Sequence, residues 1–158
     1  MADQSAASSP IPWPPLVFGL ALACGGLLTW LLPLPFSAGL PPWALRVAGG
    51  ALVILAIAIL KLASDGFRQA GTAVLPTRPA TAIVASGVYQ ISRNPMYLAQ
   101  IPLLAGIALI SGSAWFALAI PAVVVALHAL AVRREEAYLE ARFGATYVAY
   151  KSRVRRWL

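Results

Sequence analysis

Long apolar runs without acidic residues dominate this chain and leave few folds open to it. The runs cover about residues 14–32, 43–63, 96–111 and 114–132, and they consist mainly of Leu, Ala, Ile and Val. About 20 apolar residues in a helix cross the ~30 Å hydrocarbon core of a bilayer. Unbroken runs also argue against a membrane β-barrel, whose strands alternate apolar and polar residues. The pattern predicts an all-α integral membrane protein with about four transmembrane helices.

The composition supports this class. Hydrophobic residues make up 60% of the 158 positions and charged residues 11%, whereas soluble domains have roughly 45–50% and 25%. We expect a single membrane domain over residues 1–158, of which residues 1–12 form a flexible tail. That tail lacks the basic start of a secretory signal, so no cleavage is expected. The single cysteine, Cys24, lies in an apolar run, where a packing role is expected.

The positive charges predict the orientation in the membrane. The net charge is +7, and seven of the twelve Lys and Arg residues lie within residues 133–158. Four crossings with both termini in the cytoplasm place eleven of these cations on the cytoplasmic side and only Arg46 on the other. This is the bias of membrane proteins, so it explains the charge without nucleic acid as a partner. The connection at 64–95 and the helical segment at 133–158 are then cytosolic.

The last two apolar runs are predicted to form a helical hairpin. Only Ser111, Gly112 and Ser113 separate them, which is a tight turn. Pro102 and Pro121 lie within the two runs and are expected to kink them. In the second run, the pair at 49–50 consists of glycines, which would allow another helix to approach closely.

A first candidate site lies where the cytosolic connection enters the third run. Tyr89 and Arg93 precede Asn94 and Pro95, which are a suitable N-cap and first residue for a helix. The free N–H groups of a helix start and a guanidinium together can hold a carboxylate. The alternative is that Arg93 and the tyrosines anchor the chain at headgroup depth.

The C-terminal segment offers a second candidate site. Glu135 and Glu136 directly follow the fourth run, where carboxylates are unusual unless a cation needs them. A helix would place Glu135, Leu139, Phe143 and Tyr147 on one face, and Gly144 would end it. The alternative is local charge pairing, in which the glutamates bind neighbouring arginines of the same segment. The last basic cluster is predicted to anchor lipid headgroups and comprises Arg153, Arg155 and Arg156.

Other kinds of chemistry have little support in the sequence. The only histidine, His128, lies inside the fourth run, where either a functional role or a packing role is open. The spacing of His, Cys, Asp and Glu predicts no metal site. A nucleophilic triad and a glycine-rich phosphate loop are likewise missing from the sequence, which argues against hydrolysis and phosphoryl transfer.

Two segments resemble a family signature. Residues 87–98 read GVYQISRNPMYL, which is similar to the pattern G-x-Y-x-x-x-R-[HN]-P-x-Y of the isoprenylcysteine carboxyl methyltransferase-like and phospholipid methyltransferase families. The ending resembles the E-E-x-x-L-x-x-x-F-G-x-x-Y-x-x-Y pattern of the same families. The connecting segment at 71–80 is also similar, so the resemblance covers about residues 66–158 in the family's order and spacing.

This resemblance implies an integral-membrane methyltransferase that uses S-adenosylmethionine. It implies a cofactor pocket at the cytosolic helix ends, closed by residues 133–158, with Arg93 and Glu136 as catalytic residues. Asn94 replaces the histidine of many members, so it can form hydrogen bonds but cannot carry a proton. The residues implied to bind the cofactor are Tyr89, Arg93, Asn94, Pro95, Tyr97, Glu135, Glu136 and Tyr147.

The implied reaction is methyl transfer to a lipid-like or small hydrophobic acceptor that bears a carboxylate, amine or thiol. We expect the acceptor to enter from the bilayer, between the cytosolic ends of the third and fourth runs. Two alternatives remain open: a reductase of the sterol-reductase type that uses NADPH, and a non-enzymatic membrane anchor or assembly protein. A reductase would need more helices and a denser basic cluster near Arg93.

Overall fold

The computed structural model describes residues 9–36 and 39–158, and every regular element in these ranges is helical. Most of the predicted flexible tail, residues 1–8, therefore lies outside the described residues. A 3₁₀ turn spans Gly87–Gln90 and a π-helical turn spans His128–Val132. The α-helices are α1 (Trp13–Leu31), α2 (Pro42–Gln69), α3 (Pro95–Leu98), α4 (Gln100–Ser111), α5 (Ala114–Leu127), α6 (Arg133–Phe143) and α7 (Ala145–Arg153).

Three helical stretches are long and apolar enough to cross a membrane. They are α1, α2 and the continuous stretch Ala114–Phe143, which contains α5, the π turn and α6. The remaining apolar stretch, Pro95–Ser111, is shorter. The prediction of an all-α integral membrane protein is confirmed, and a fourth crossing by Pro95–Ser111 stays a prediction.

The helices pack as two neighbouring pairs joined by a hairpin. The first helix packs along α5, α2 packs along α4, and α4 and α5 form the predicted hairpin. Gly112 makes the turn with a φ of 66°, a conformation that glycine adopts without steric cost. The core between α1, α4 and α5 is centred on the fully buried Leu104 and Leu127. The acceptor route predicted between the cytosolic ends of the third and fourth runs stays a prediction.

The end of the bundle opposite the connection at 64–95 is tied together by hydrogen bonds. The hydroxyls of Thr29 and Ser113 are 2.6 Å apart. The amide of Ala114 donates to the carbonyl of Leu34 at 2.9 Å, and the indole of Trp115 donates to the carbonyl of Leu32 at 2.7 Å. These bonds connect the end of α1 to the hairpin turn and fix this end of the α1–α5 pair.

The two prolines predicted to kink their runs differ in whether the helix is interrupted. The third apolar run is interrupted at Ala99, between α3 and α4. Because the ring of Pro102 crowds the carbonyl four residues earlier, at Leu98, the interruption falls where this proline acts. The fifth helix instead continues through Pro121 without a break.

Close approach of α2 and α4 depends on a pair of glycines. A Cβ atom added at Gly49 would lie 2.7 Å from the carbonyl oxygen of Gly106, and one added at Gly106 would lie 2.7 Å from the carbonyl oxygen of Gly49. A Cβ atom at Gly50 would contact nothing within 4 Å. The predicted glycine contact is therefore confirmed for Gly49 and wrong for Gly50.

Gly49→Ala is expected to destabilise the fold by about 1–3 kcal/mol, because the backbone of α4 must move away. The neighbouring Gly50→Ala is the matched control, and it should be neutral or stabilising by up to about 1 kcal/mol, because alanine favours the helix. Thermal unfolding of both variants in the same detergent measures the difference. Equal stability of the two variants would contradict the close packing.

Candidate functional site

A cleft opens at the end of the bundle where the central connection and the C-terminal segment meet. Its empty volume is about 680 Å³, part of which is open to solvent. Six of the eight predicted cofactor residues line it: Tyr89, Arg93, Asn94, Glu135, Glu136 and Tyr147. Pro95 and Tyr97 do not: Pro95 is buried at the start of α3, and Tyr97 lies on the far side of Glu135.

Three charged side chains form a network beside the cleft. Glu136 accepts two hydrogen bonds from the guanidinium of Arg156, at 3.0 and 2.7 Å, and lies 3.1 Å from Nη1 of Arg93. The side chains of Arg93 and Glu136 are only 8% and 10% exposed, and that of Arg156 is 38% exposed. The alternative of pairing with neighbouring arginines is therefore wrong for Glu136, whose partners are Arg93 of the connection and Arg156, 20 residues further along the C-terminal segment.

The backbone of the C-terminal segment completes this corner of the site. The amide of Arg93 donates to the carbonyl of Arg155 at 2.9 Å, and the side-chain amide of Asn94 donates to the carbonyl of Arg156 at 3.0 Å. Asn94 precedes α3 as predicted, but its side chain does not cap the helix. The lipid-anchor prediction is wrong for Arg156, while Arg153 and Arg155 are exposed.

Glu135 is held differently from its neighbour. One carboxylate oxygen accepts a hydrogen bond of 2.7 Å from the hydroxyl of Tyr97. This bond also joins the start of α3 to α6. Because Glu135 lies in no ion pair among the described residues, its second oxygen can accept a donor from a ligand. Tyr97 therefore positions a carboxylate, although it does not itself line the cleft.

A layer of buried tyrosines backs the cleft. The hydroxyl of Tyr150 donates to the carbonyl of Tyr89 at 2.7 Å, and the ring of Phe67 meets the Tyr89 ring edge-on, with centroids 5.5 Å apart. Burial, helped by the charge of Glu136, raises the pKa of Tyr147 to about 12. Burial also raises the pKa of Tyr89 and Tyr150. Hydrogen bonding to Glu136 raises the pKa of Arg156, so the guanidinium keeps its charge.

Tyr147 is expected to make the fold sensitive to alkali. Its pKa is 10.0 when unfolded and about 12 when folded, so its contribution to stability is complete below pH 10. Above that pH the unfolded state releases the proton first, and stability falls by about 1.4 kcal/mol per pH unit. Between pH 10 and pH 12, the free energy of unfolding should fall less in Tyr147→Phe than in the unchanged protein. If the free energy of unfolding fell equally with pH in the two proteins, the raised pKa of Tyr147 would be contradicted.

Comparison with known proteins assigns the chain to a family. A sequence model of phospholipid methyltransferases matches residues 45–146, which is more than half of the chain. This protein belongs to the phospholipid methyltransferase family. An uncharacterized protein from Haemophilus influenzae is 36% identical over 63 residues, which are its whole length and 40% of this chain. No solved structure matches.

Several residues in or beside the cleft were not predicted from the sequence. Residues 73–84 fold over the cleft, and the amide of Ala80 donates to the hydroxyl of Tyr138 at 3.0 Å. Nothing in the composition of residues 73–84 indicated this position. Tyr150 stands in the C-terminal motif of the family, which was the available signal for it. Arg156 lies beyond that pattern, in the basic cluster that was predicted to anchor lipid headgroups.

Two other predictions concern residues away from the cleft. His128 begins the π turn, is half-buried and does not line the cleft of this phospholipid methyltransferase family member. In the C-terminal segment, Gly144 separates α6 from α7 as predicted, with a φ of 51°. Of the four residues predicted to share one helical face, Glu135, Leu139 and Tyr147 line the cleft and Phe143 does not. Within residues 9–36 and 39–158, no group of His, Cys, Asp and Glu could hold a metal ion.

Proposed function

We propose that this protein transfers a methyl group from S-adenosylmethionine to a lipid-like or small hydrophobic acceptor. The observation that carries the proposal is the Arg93 guanidinium at the cleft. It is 8% exposed, and its buried Nε atom has no hydrogen-bond partner among the described residues. A buried donor without a partner costs about 1–3 kcal/mol, so a ligand acceptor at this position is strongly favoured.

The charges around the cleft fit the cofactor. S-adenosylmethionine carries a carboxylate, an ammonium group and a sulfonium that supplies an electrophilic methyl group. Arg93 would bind the carboxylate through Nε, and the free oxygen of Glu135 would bind the ammonium group. Glu136 would hold Arg93 in position, since its own oxygens are already engaged with Arg93 and Arg156.

NADPH fits these charges less well. The charged side chains that line the cleft are Arg78, Arg93, Glu135 and Glu136, and Arg93 is already paired with Glu136. Arg78 is then left to bind three phosphate groups, whereas Glu135 offers a carboxylate to a cationic group of S-adenosylmethionine. This charge pattern supports the methyltransferase over the reductase of the sterol-reductase type.

If the acceptor is an amine or a thiol, its proton must leave. Neither glutamate of the cleft is free to accept it in this arrangement, because Glu136 is bound in two ion pairs and Glu135 would bind Tyr97 and the ammonium group. An acceptor carboxylate would need no base, as expected for a member related to isoprenylcysteine carboxyl methyltransferases. The residues otherwise orient the reactants and exclude water.

Calorimetry on the full chain in lipid nanodiscs tests the proposal. We expect heat of binding with S-adenosylmethionine and none with NADPH at the same concentration. Binding of NADPH alone would support the reductase, and binding of neither would support an anchor or assembly protein.

We propose further that the cleft faces the cytoplasm, because eleven of the twelve Lys and Arg residues lie toward that end or within its connection. Reporter fusions within residues 33–41 and after Leu158 should report opposite sides of the membrane. The same side for both would contradict the topology of four crossings.

A further inference from the structure

A small pocket lies behind Glu135, on the side away from the cleft, between the start of α1, the connection and the π turn. The space inside it suffices for about one water molecule. Glu135 lines both this pocket and the cleft, so its side chain separates the two cavities. The polar side chains of the pocket are those of Ser9, Trp13, Tyr97, Arg134 and Glu135.

The segment at 9–13 holds the indole of Trp13 at this pocket, outside the residues 45–146 that match the family. The amide of Ser9 donates to the carbonyl of Pro76 at 3.2 Å, so the segment is attached to the connection. The hydroxyl of Ser9 donates to the carbonyl of Ile11 and accepts from its amide, at 2.9 and 3.2 Å. The amide of Trp13 donates to the carbonyl of Ile11 at 2.9 Å. These bonds fix the backbone that carries the indole.

The indole of Trp13 has an unused hydrogen-bond donor at the pocket. Its Nε1 atom is buried and has no hydrogen-bond partner within residues 9–36 and 39–158. An indole nitrogen can only donate, and a buried N–H without an acceptor is costly. Glu135 lines the same pocket, but no direct bond joins its carboxylate to this donor. A water molecule is the acceptor that the size of the pocket allows.

The carboxylate of Glu135 can accept a further hydrogen bond on the pocket side. Its Oε2 atom accepts from the hydroxyl of Tyr97 at 2.7 Å, and Tyr97 lines the pocket but not the cleft. We therefore assign Oε2 to the pocket side, which leaves Oε1 for the cleft. Each oxygen of an ionised carboxylate can accept about two hydrogen bonds, so Oε2 has room for one more beside that of Tyr97.

We propose that one water molecule in this pocket bridges the indole N–H of Trp13 to Oε2 of Glu135. The water accepts from the indole and donates to the carboxylate, which satisfies the buried donor. Such a bridge is nearly as favourable as a direct hydrogen bond. Trp13 is then a positioning residue: together with Tyr97 it holds Glu135 from behind, so that Oε1 stays directed at the ammonium group of the cofactor. This positioning role rests on the proposed function.

Nuclear magnetic resonance of the full chain without cofactor tests the water bridge. The protein carries isotope-labelled tryptophan in detergent micelles, and the indole signal of Trp13 is identified by its loss in Trp13→Phe. We expect a through-space cross-peak between this indole proton and a long-lived water molecule. The cross-peak should persist in Tyr97→Phe, which excludes transfer of the signal through the hydroxyl.

The link to Glu135 is tested by removing its carboxylate. The cross-peak should fall several-fold in Glu135→Met, because this side chain has a similar length but cannot hold the water. Glu140→Met is the matched control at an exposed position of α6, and it should keep the cross-peak. Absence of the cross-peak in the unchanged protein, or an equal one in Glu135→Met, would overturn the proposal.

Calorimetry in nanodiscs tests the positioning role. Trp13→Phe should weaken the binding of S-adenosylmethionine by about three- to ten-fold, the range for one net hydrogen bond. Trp30→Phe is the matched control and should bind normally, because Trp30 lies at the other end of α1 and is 78% exposed. An analogue of the cofactor that lacks the amino group separates positioning from a structural defect. Its affinity should be the same in Trp13→Phe and in the unchanged protein.

The outcomes separate this inference from the proposed function. An equal loss of affinity for both ligands would mean that Trp13 only stabilises the fold, and no loss for either would mean that Glu135 does not depend on it. Both results overturn the positioning role and leave the proposed function intact. If the unchanged protein binds no S-adenosylmethionine, the proposed function fails and the positioning role with it, whereas the cross-peak still decides the water bridge.

Discussion

Glu136→Ala is expected to destabilise the fold by about 3–5 kcal/mol, the largest effect of any single change proposed for this protein. The substitution leaves Arg93 and Arg156 close together without their shared carboxylate. Arg156 can turn toward solvent, but Arg93 is 8% exposed and cannot leave. Removal of one partner from a buried ion pair costs more than the pair contributes, because a buried charge stays behind uncompensated. Unfolding in detergent, followed by tryptophan fluorescence, measures the loss.

Glu140→Ala is the matched control for this change. It removes the same side chain four residues later, where the carboxylate binds Lys151 at 2.9 Å and the two side chains are 45% and 39% exposed. Exposed pairs contribute about 1 kcal/mol or less, so the control should lose little. A similar small loss in both variants would show that Arg93 is solvated and that the network does not stabilise the site.

Arg93→Lys is expected to weaken the binding of S-adenosylmethionine by about 10- to 150-fold, the range for the loss of one charge-assisted hydrogen bond. The lysine keeps a positive charge opposite Glu136, so the fold should lose less stability than in Glu136→Ala. It lacks the Nε donor that has no partner in the structure, and it has no planar fork for a carboxylate. Calorimetry in nanodiscs gives the affinity, and unfolding under the same conditions gives the stability.

The control for this variant is Arg153→Lys, which changes the same side chain at an exposed position of α7. Its affinity for the cofactor should equal that of the unchanged protein. If Arg93→Lys also binds normally, Arg93 serves only to pair with Glu136, and the proposed contact with the cofactor is removed.

The helices were predictable because each is indicated by its own stretch of sequence, an apolar run or a glycine at its end. Each apolar run corresponds to a helix or to a pair of consecutive helices, and Gly112 and Gly144 end elements where the sequence placed them. The interruption at Ala99 is consistent with the position of Pro102, whereas α5 continues through Pro121. Neighbouring helices can satisfy the backbone groups that a proline frees in the membrane, and sequence spacing does not report those neighbours.

The sequence predicted which residues belong to the candidate site but not which of them form ion pairs with one another. The sequence indicated Arg93 and Glu136 as members, yet it favoured a ligand or a neighbouring arginine as the partner of each. In the structure they bind one another across more than forty residues. Such a contact is fixed by the packing of the helices between them, and no local spacing encodes it. Arg156 was misassigned for the same reason, since a basic cluster near a membrane resembles a lipid anchor when its distant carboxylate is unknown.

The contacts of residues 155–156 with Arg93 and Asn94 have a consequence for truncation. The two carbonyls lie beyond α7, so removal of residues 154–158 leaves every apolar helix in the chain but takes away one corner of the site. Such a shortened chain should integrate into the membrane and fail to bind the proposed cofactor. Membrane integration and completion of the site thus depend on different parts of the chain.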